Sequence, residues 1–70
     1  MISINFGESL SNVLHLKNLK KKDFAAIMGV QPPTVSRWCR ARHVKLQTIN
    51  LVAAALDMRP SEFIAFGEEG

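Results

Sequence analysis

Tyrosine is absent from these 70 residues, and cysteine and tryptophan occur once each. The lone thiol, Cys39, excludes an internal disulfide and a cysteine-based zinc site, so nothing staples the fold covalently and a reducing cytoplasm is the expected setting. With four phenylalanines and one tryptophan, most of the packing falls to aliphatic residues and alanine. The longest apolar run, Leu51 to Leu56, is far too short to span a membrane, and the N-terminus lacks the basic-then-apolar layout of a secretory signal. His15 and His43 stand too far apart to suggest a metal pair, and no acidic cluster accompanies them. A glycine-rich phosphate loop, a nucleophile beside a base and a pair of carboxylates are likewise missing, so neither an enzyme nor a cofactor is expected. Repeats, linkers and low-complexity tracts are absent. The chain reads as one domain, residues 1–70, with a modest core, since a chain of this size buries only about 60% of the surface it exposes when unfolded.

Acidic residues are scarce where basic ones gather. Eight of the nine basic residues (Lys17, Lys20, Lys21, Lys22, Arg37, Arg40, Arg42 and Lys45) lie between positions 17 and 45, opposed only by Asp23. That segment carries +7 and the remainder −4, which together give the net charge of +3. Lysine runs are usually just solvated surface. A basic stripe between acidic ends is also the footprint of a module that sits on a phosphate backbone.

The same segment contains a helix-turn-helix pattern, expected over about residues 21–40. Gly29 separates two amphipathic runs, Phe24, Ala25, Ile27 and Met28 before it and Val35 and Trp38 after it. A tight turn between helices needs a positive backbone angle, which glycine supplies without steric penalty. Ala25, four residues earlier, is small enough for the two axes to approach closely. Val35 and Trp38 share one helical face, Val30 plugs the turn, and Gln31, Pro32, Pro33, Ser36, Arg37 and Arg40 are left outward. Trp38, Phe24 and Met28 are read as core, and Cys39 as a neutral thiol.

Periodicity and punctuation predict five helices. The first runs from about Phe6 to Lys17, with Phe6, Leu10, Val13 and Leu14 inward, Asn5 as N-cap and Glu8 completing an asparagine form of the capping box. Asn18 suits a left-handed C-cap. The second spans about Lys21 to Met28 and begins poorly, because Lys20 brings neither a capping oxygen nor a favourable charge to the positive end of the helix dipole. The third runs from Pro32 to near Arg40, its first proline occupying a position whose missing donor costs nothing. Residues Arg42 to Lys45 form a loop. The fourth, about Leu46 to Leu56, has an apolar face of Leu46, Ile49, Val52, Ala53 and Leu56. The fifth extends from Pro60 to about Phe66.

Phe24-Ala25, Gly29-Val30 and Val35-Ser36-Arg37-Trp38 resemble the Cro/C1-type family of phage and bacterial regulators. The resemblance continues through Leu46-Gln47-Thr48-Ile49, Leu51, Ala53, Ala55-Leu56 and Pro60-Ser61-Glu62-Phe63, and so covers roughly residues 6–64. It implies an all-α, compact five-helix bundle of the lambda-repressor-like type and a sequence-specific transcriptional repressor of phage or prophage origin. A restriction-modification controller or a small antitoxin would look similar, and a scaffold that docks an acidic protein partner is the alternative from another class. Departures from the family are Asn18 for a common glycine, Lys20 for serine or threonine, Lys21 for glutamine and Ala41 for glycine.

A recognition helix offers its N-terminal residues and outer face to the major groove, which makes Gln31, Pro32, Pro33, Thr34 and Arg37 the candidate base readers. Arg37 can bridge guanine O6 and N7, Gln31 can pair with adenine, and the proline rings can pack on thymine methyls. Lys21, Lys22, Ser36, Arg40, Arg42 and Lys45 are the candidate phosphate partners, and His43 a weaker, pH-dependent one. One recognition helix is too little for tight operator binding. The expected partner is therefore a double-stranded DNA operator bound by a homodimer that forms mainly on DNA, with apolar surface from Met58, Phe63, Ile64 and Phe66 in the region of the self-contact. The alternative is that these side chains only close the core, and for Phe63 that is the preferred reading.

Overall fold

The computed structural model describes residues 3–69. Five helices follow one another as α1 (Phe6–Leu16), α2 (Lys21–Met28), α3 (Pro32–Arg40), α4 (Leu46–Ala55) and α5 (Pro60–Ala65). The all-α bundle expected from the sequence is the one observed, with α1, α4 and α5 each ending a residue early. An antiparallel two-residue ladder, β1 (Ser3–Ile4) with β2 (Glu68–Glu69), pairs Ser3 with Glu69 and Ile4 with Glu68. Two residues per strand are too few to show the alternation by which a strand is read.

Three helices end in the same way. Asn18, Gly29 and Asp57 all adopt the left-handed conformation, at φ 56°, 70° and 57°. Behind each, the next amide reaches back to the preceding turn: Leu19 N donates to Leu14 O (2.9 Å), Val30 N to Ala25 O (3.0 Å) and Met58 N to Ala53 O (2.9 Å). These are Schellman closures, which satisfy the orphan carbonyls of a helix end and reverse the chain sharply. Asn18 and Gly29 take the roles expected of them. Asp57 was not legible as a third, and Ala41 needs no glycine because its backbone is extended, at φ −86° and ψ 131°.

The helix starts are less uniform. Asn5 Oδ1 accepts from Glu8 N at 3.1 Å, so the N-cap of α1 is as expected. The reciprocal half of the box is replaced, because Asn5 N donates to Gly67 O at 2.9 Å and has no need of the Glu8 carboxylate. Lys20 gives α2 no side-chain cap, and Gln31 gives none to α3, where Pro32 occupies the first turn. At α5 the Glu62 carboxylate accepts from Arg59 N at 3.0 Å.

Phe6, Leu10, Val13 and Leu14 of α1 meet Phe24 and Ala25 of α2, Val35 of α3, Val52, Ala53 and Leu56 around α4, and Phe63 of α5 in the core. Phe6 and Phe63 form a tilted ring pair with centroids 5.7 Å apart. Trp38, Met28 and Val30 pack against the core as expected, each remaining partly exposed. Leu46 departs from its inward assignment. Leu46, in the first turn of α4, is 70% exposed and walls an apolar groove rather than the core. Phe63 is fully buried against Phe6, as its core reading expected, while Met58 and Ile64 are half-buried and Phe66 is exposed.

At the junction between α1 and the end of α3, main chain meets main chain closely. Gly7 N donates to Ala41 O at 2.7 Å and Phe6 N to Arg42 O at 3.0 Å, so two donors orphaned at the start of α1 find acceptors on the chain leaving α3. A Cβ at Gly7 would collide with the carbonyl oxygen of Cys39 and lie 2.9 Å from that of Ala41. On the far side of the same helix start, Gly67 packs against Ser9 and the Asn5 carbonyl. Ser9, the buried polar residue of the core, donates from Oγ to Ile64 O at 3.3 Å. Gly7→Ala should therefore destabilise the protein by about 1–3 kcal/mol, as overpacking against backbone does. Chemical denaturation provides the check; a gain of the ~0.5–1 kcal/mol usual for alanine replacing a mid-helix glycine would disprove the close approach.

Candidate nucleic-acid interface

Helix α3 owes its two faces to simple spacing. Val35, Trp38 and Cys39 turn towards α1 and α2, with Val35 fully buried and the other two half-buried. Pro33, Ser36, Arg37 and Arg40 recur at i, i+3, i+4 and i+7 and form the opposite stripe, along which Pro33, Arg37 and Arg40 are exposed and Ser36 is half-buried. Gln31 and Pro32 stand exposed at its N-terminal end. Thr34 is half-buried at the edge of the stripe, where its Oγ1 accepts from Arg37 Nη2 at 3.4 Å. That long hydrogen bond leans the guanidinium towards the start of the helix, the part that enters a groove in this motif.

The candidate phosphate residues divide between two elements. Lys21 and Lys22 lie exposed in the first turn of α2, which no side chain caps, so the positive end of the helix dipole and two ammonium groups coincide. Arg42 and Lys45 lie exposed on the loop between α3 and α4, with Arg40 at the end of α3. The carbonyls of Ala41 and Arg42 are anchored on α1, so this loop leaves α3 in a fixed direction. His43 is exposed beside it and, with Arg42, borders an apolar groove of about 210 Å³ walled mainly by Ile4, Val44, Leu46, Pro60 and Ile64. Among the described residues no group of three or more histidine, cysteine or acidic side chains is placed to hold a metal ion, and no helix is long and apolar enough to cross a membrane.

Two short helices meeting at a left-handed Gly29, the second with a buried inner face and a polar outer one, define a helix-turn-helix. The match to the Cro/C1-type HTH DNA-binding domain extends over residues 9–69, and the chain belongs to that family. Among solved structures, it is similar to the restriction-modification controller protein C.AhdI from Aeromonas hydrophila, with 31% identity, 86% of this chain and 92% of that one covered, and a TM-score of 0.72. A second similarity, to FeII HppE in complex with substrate, has a TM-score of 0.75 at 20% identity and covers 89% of this chain but 36% of the other. That likeness is one of fold alone. No curated protein sequence matches the chain.

The inner position of Trp38 sets a test. Trp38→Ala should lower stability by less than the ~3–5 kcal/mol lost on truncating a fully buried aromatic, because part of the indole already meets water. Its effect on DNA should follow from that loss. A variant with an unchanged denaturation midpoint that no longer binds duplex would put the indole in the groove instead.

Proposed function

We propose that this chain is a sequence-specific DNA-binding transcriptional regulator without enzymatic activity, repressing through an operator of approximate two-fold symmetry. The observation that carries this reading is the outer stripe of α3, with Arg37 exposed and oriented by Thr34, together with the exposed lysines of the first turn of α2 before it in the chain and the exposed basic loop after it. Base reading falls to Arg37, Gln31, Thr34 and the rings of Pro32 and Pro33. Phosphate neutralisation falls to Lys21, Lys22, Ser36, Arg40, Arg42 and Lys45.

Two biological settings share this chemistry. A phage or prophage repressor fits the Cro/C1-type family. The likeness to C.AhdI over nearly the whole of both chains specifically favours a restriction-modification controller. Selecting binding sites from a random DNA pool and locating them in the source genome tests both, since the genes beside the operator differ. A scaffold that docks an acidic protein is the reading that fails if random-sequence duplex binds and the affinity falls steeply with salt.

Arg37→Ala should relax base preference at one position per half-site, at a loss of about 1–3 kcal/mol of discrimination. Lys21→Ala should instead weaken every duplex alike and lower the salt slope by about one unit. Site selection and salt titration on the two variants give the check; an unchanged profile for Arg37→Ala, or a changed one for Lys21→Ala, reverses the assigned roles.

One recognition helix with a handful of base contacts is too weak for the ~10⁻⁸ M or tighter binding that competition with a genome demands. Two copies should therefore occupy one operator, with half-sites centred about 10 base pairs apart so that both helices enter successive major grooves on one side of the duplex. Sedimentation of the protein with a selected operator measures the stoichiometry, and saturation at one copy on an asymmetric site refutes the pairing.

A further inference from the structure

Beside the loop that follows α3, separate parts of the chain wall one apolar groove: Ile4 from β1, Leu46 at the start of α4, and Pro60 and Ile64 from α5. Seven of its nine lining residues are apolar. The other two, Arg42 and His43, are neighbours in the chain, basic and exposed, and no acidic side chain lines the groove among the described residues. Ile4, Leu46 and Pro60 are exposed as well, so the groove presents apolar surface that the core has not absorbed.

We propose that this groove binds a small apolar carboxylic acid, its hydrocarbon against Ile4, Leu46 and Ile64 and its carboxylate on Arg42 and His43, and that the bound acid weakens the hold of the loop on DNA. The effect on DNA rests on the DNA-binding reading above; the site itself does not. Size selects the hydrocarbon. A cavity of about 150 Å³ holds a benzene ring and sites for drug-sized ligands begin near ~300 Å³, so a groove of about 210 Å³ suits one ring or a chain of about eight carbons. A second copy of the chain or another protein needs about 800 Å² on each side, which a recess of this size does not offer.

Charge selects the head group. A guanidinium presents paired N–H donors that match a carboxylate, and an imidazole has a ring N–H to donate in either protonation state. Lys45 leaves the start of α4 without a side-chain cap, and the positive end of that helix dipole, at Leu46, adds to the preference for an anion. Coupling to DNA follows from a shared residue. Arg42 is among the groups assigned to phosphate, so an acid held there takes one positive charge from the duplex and sets a carboxylate in the basic loop. By linkage, the duplex weakens the acid by the same factor as the acid weakens the duplex.

The test titrates octanoate into the full chain, followed by two-dimensional NMR, with octylamine and butyrate as controls. Octanoate should saturate with a dissociation constant on the order of 1 mM or tighter, shifting the amides of residues 42–49 and 60–64. Butyrate should bind at least about tenfold more weakly for want of four methylenes, and octylamine likewise for its charge. Leu46→Glu, an exposed substitution that should keep the wild-type melting temperature, sets a carboxylate in the wall and should weaken octanoate at least about tenfold; Arg42→Gln should do so at least about fivefold. Saturating octanoate should lower the affinity of wild type for a selected operator at least about fivefold relative to the same concentration of sodium butyrate, which matches the ionic strength. Equal binding of octylamine, shifts centred elsewhere on the surface, or undiminished octanoate affinity in either variant overturns the site. Octanoate that binds in the groove without changing duplex affinity overturns the coupling. If wild type binds no duplex at all, the DNA-binding reading falls and the coupling with it, while the titration still decides the site.

Discussion

The structure depends on the abutment of the start of α1 against the chain leaving α3. Gly7 and Phe6 donate to the carbonyls of Ala41 and Arg42, and Gly7 has no Cβ because the carbonyls of Cys39 and Ala41 occupy its space. Orphan donors at a helix start are normally satisfied by a capping side chain or by water. Here the acceptors are backbone carbonyls, so the contact fixes one main chain against another and cannot drift by a rotamer change. The other end of the domain is tied to the same place, through Asn5 N to Gly67 O and the amide of Asn12 to Phe66 O at 2.7 Å. One helix start thereby sets the direction in which the outer stripe of α3 and the loop after it face the solvent.

Much of this was legible in the sequence where a residue type has a single structural use. Gly29 lies at a left-handed turn, Ala25 is buried in the core, and Pro33, Ser36, Arg37 and Arg40 share the outer face, each as the spacing implied. What escaped was set by partners distant in sequence. Ser9 and Gly67 meet across 58 positions, and nothing near either residue announces the other. Leu46 failed for a related reason: the 3.6-residue period places it at the edge of the apolar arc, but whether an arc is covered depends on what lies opposite it. Asp57 adopts φ 57° because the turn after α4 demands it, although aspartate signals such a conformation more faintly than glycine or asparagine. Of the candidate site, exposure and grouping were readable.

The basic residues show where stability and binding compete. Serine or threonine at position 20 would cap α2 and add about 1 kcal/mol, and Lys21 and Lys22 oppose the helix dipole by a few tenths each. Set against the 5–15 kcal/mol by which small domains are stable, this is a noticeable sacrifice. It makes physical sense if the missing cap is an external anion. The uncapped amides, the dipole and the lysines all favour one beside the first turn of α2, and a phosphate there would satisfy groups that the folded chain leaves to water. On the proposed reading the start of α2 is completed by the duplex.

The same reasoning explains why charge is so unevenly distributed. A stripe of +7 on 29 residues repels itself, and the acidic residues at 57, 62, 68 and 69 are too far along the chain to relieve it locally. Moving them into the stripe would raise stability and lower affinity for a polyanion. Leaving them at the C-terminal end keeps the charges of the two signs apart along the chain, and a segment rich in positive charge is drawn into the field of a duplex. α4 takes no part in this separation, for it has no charge of either sign.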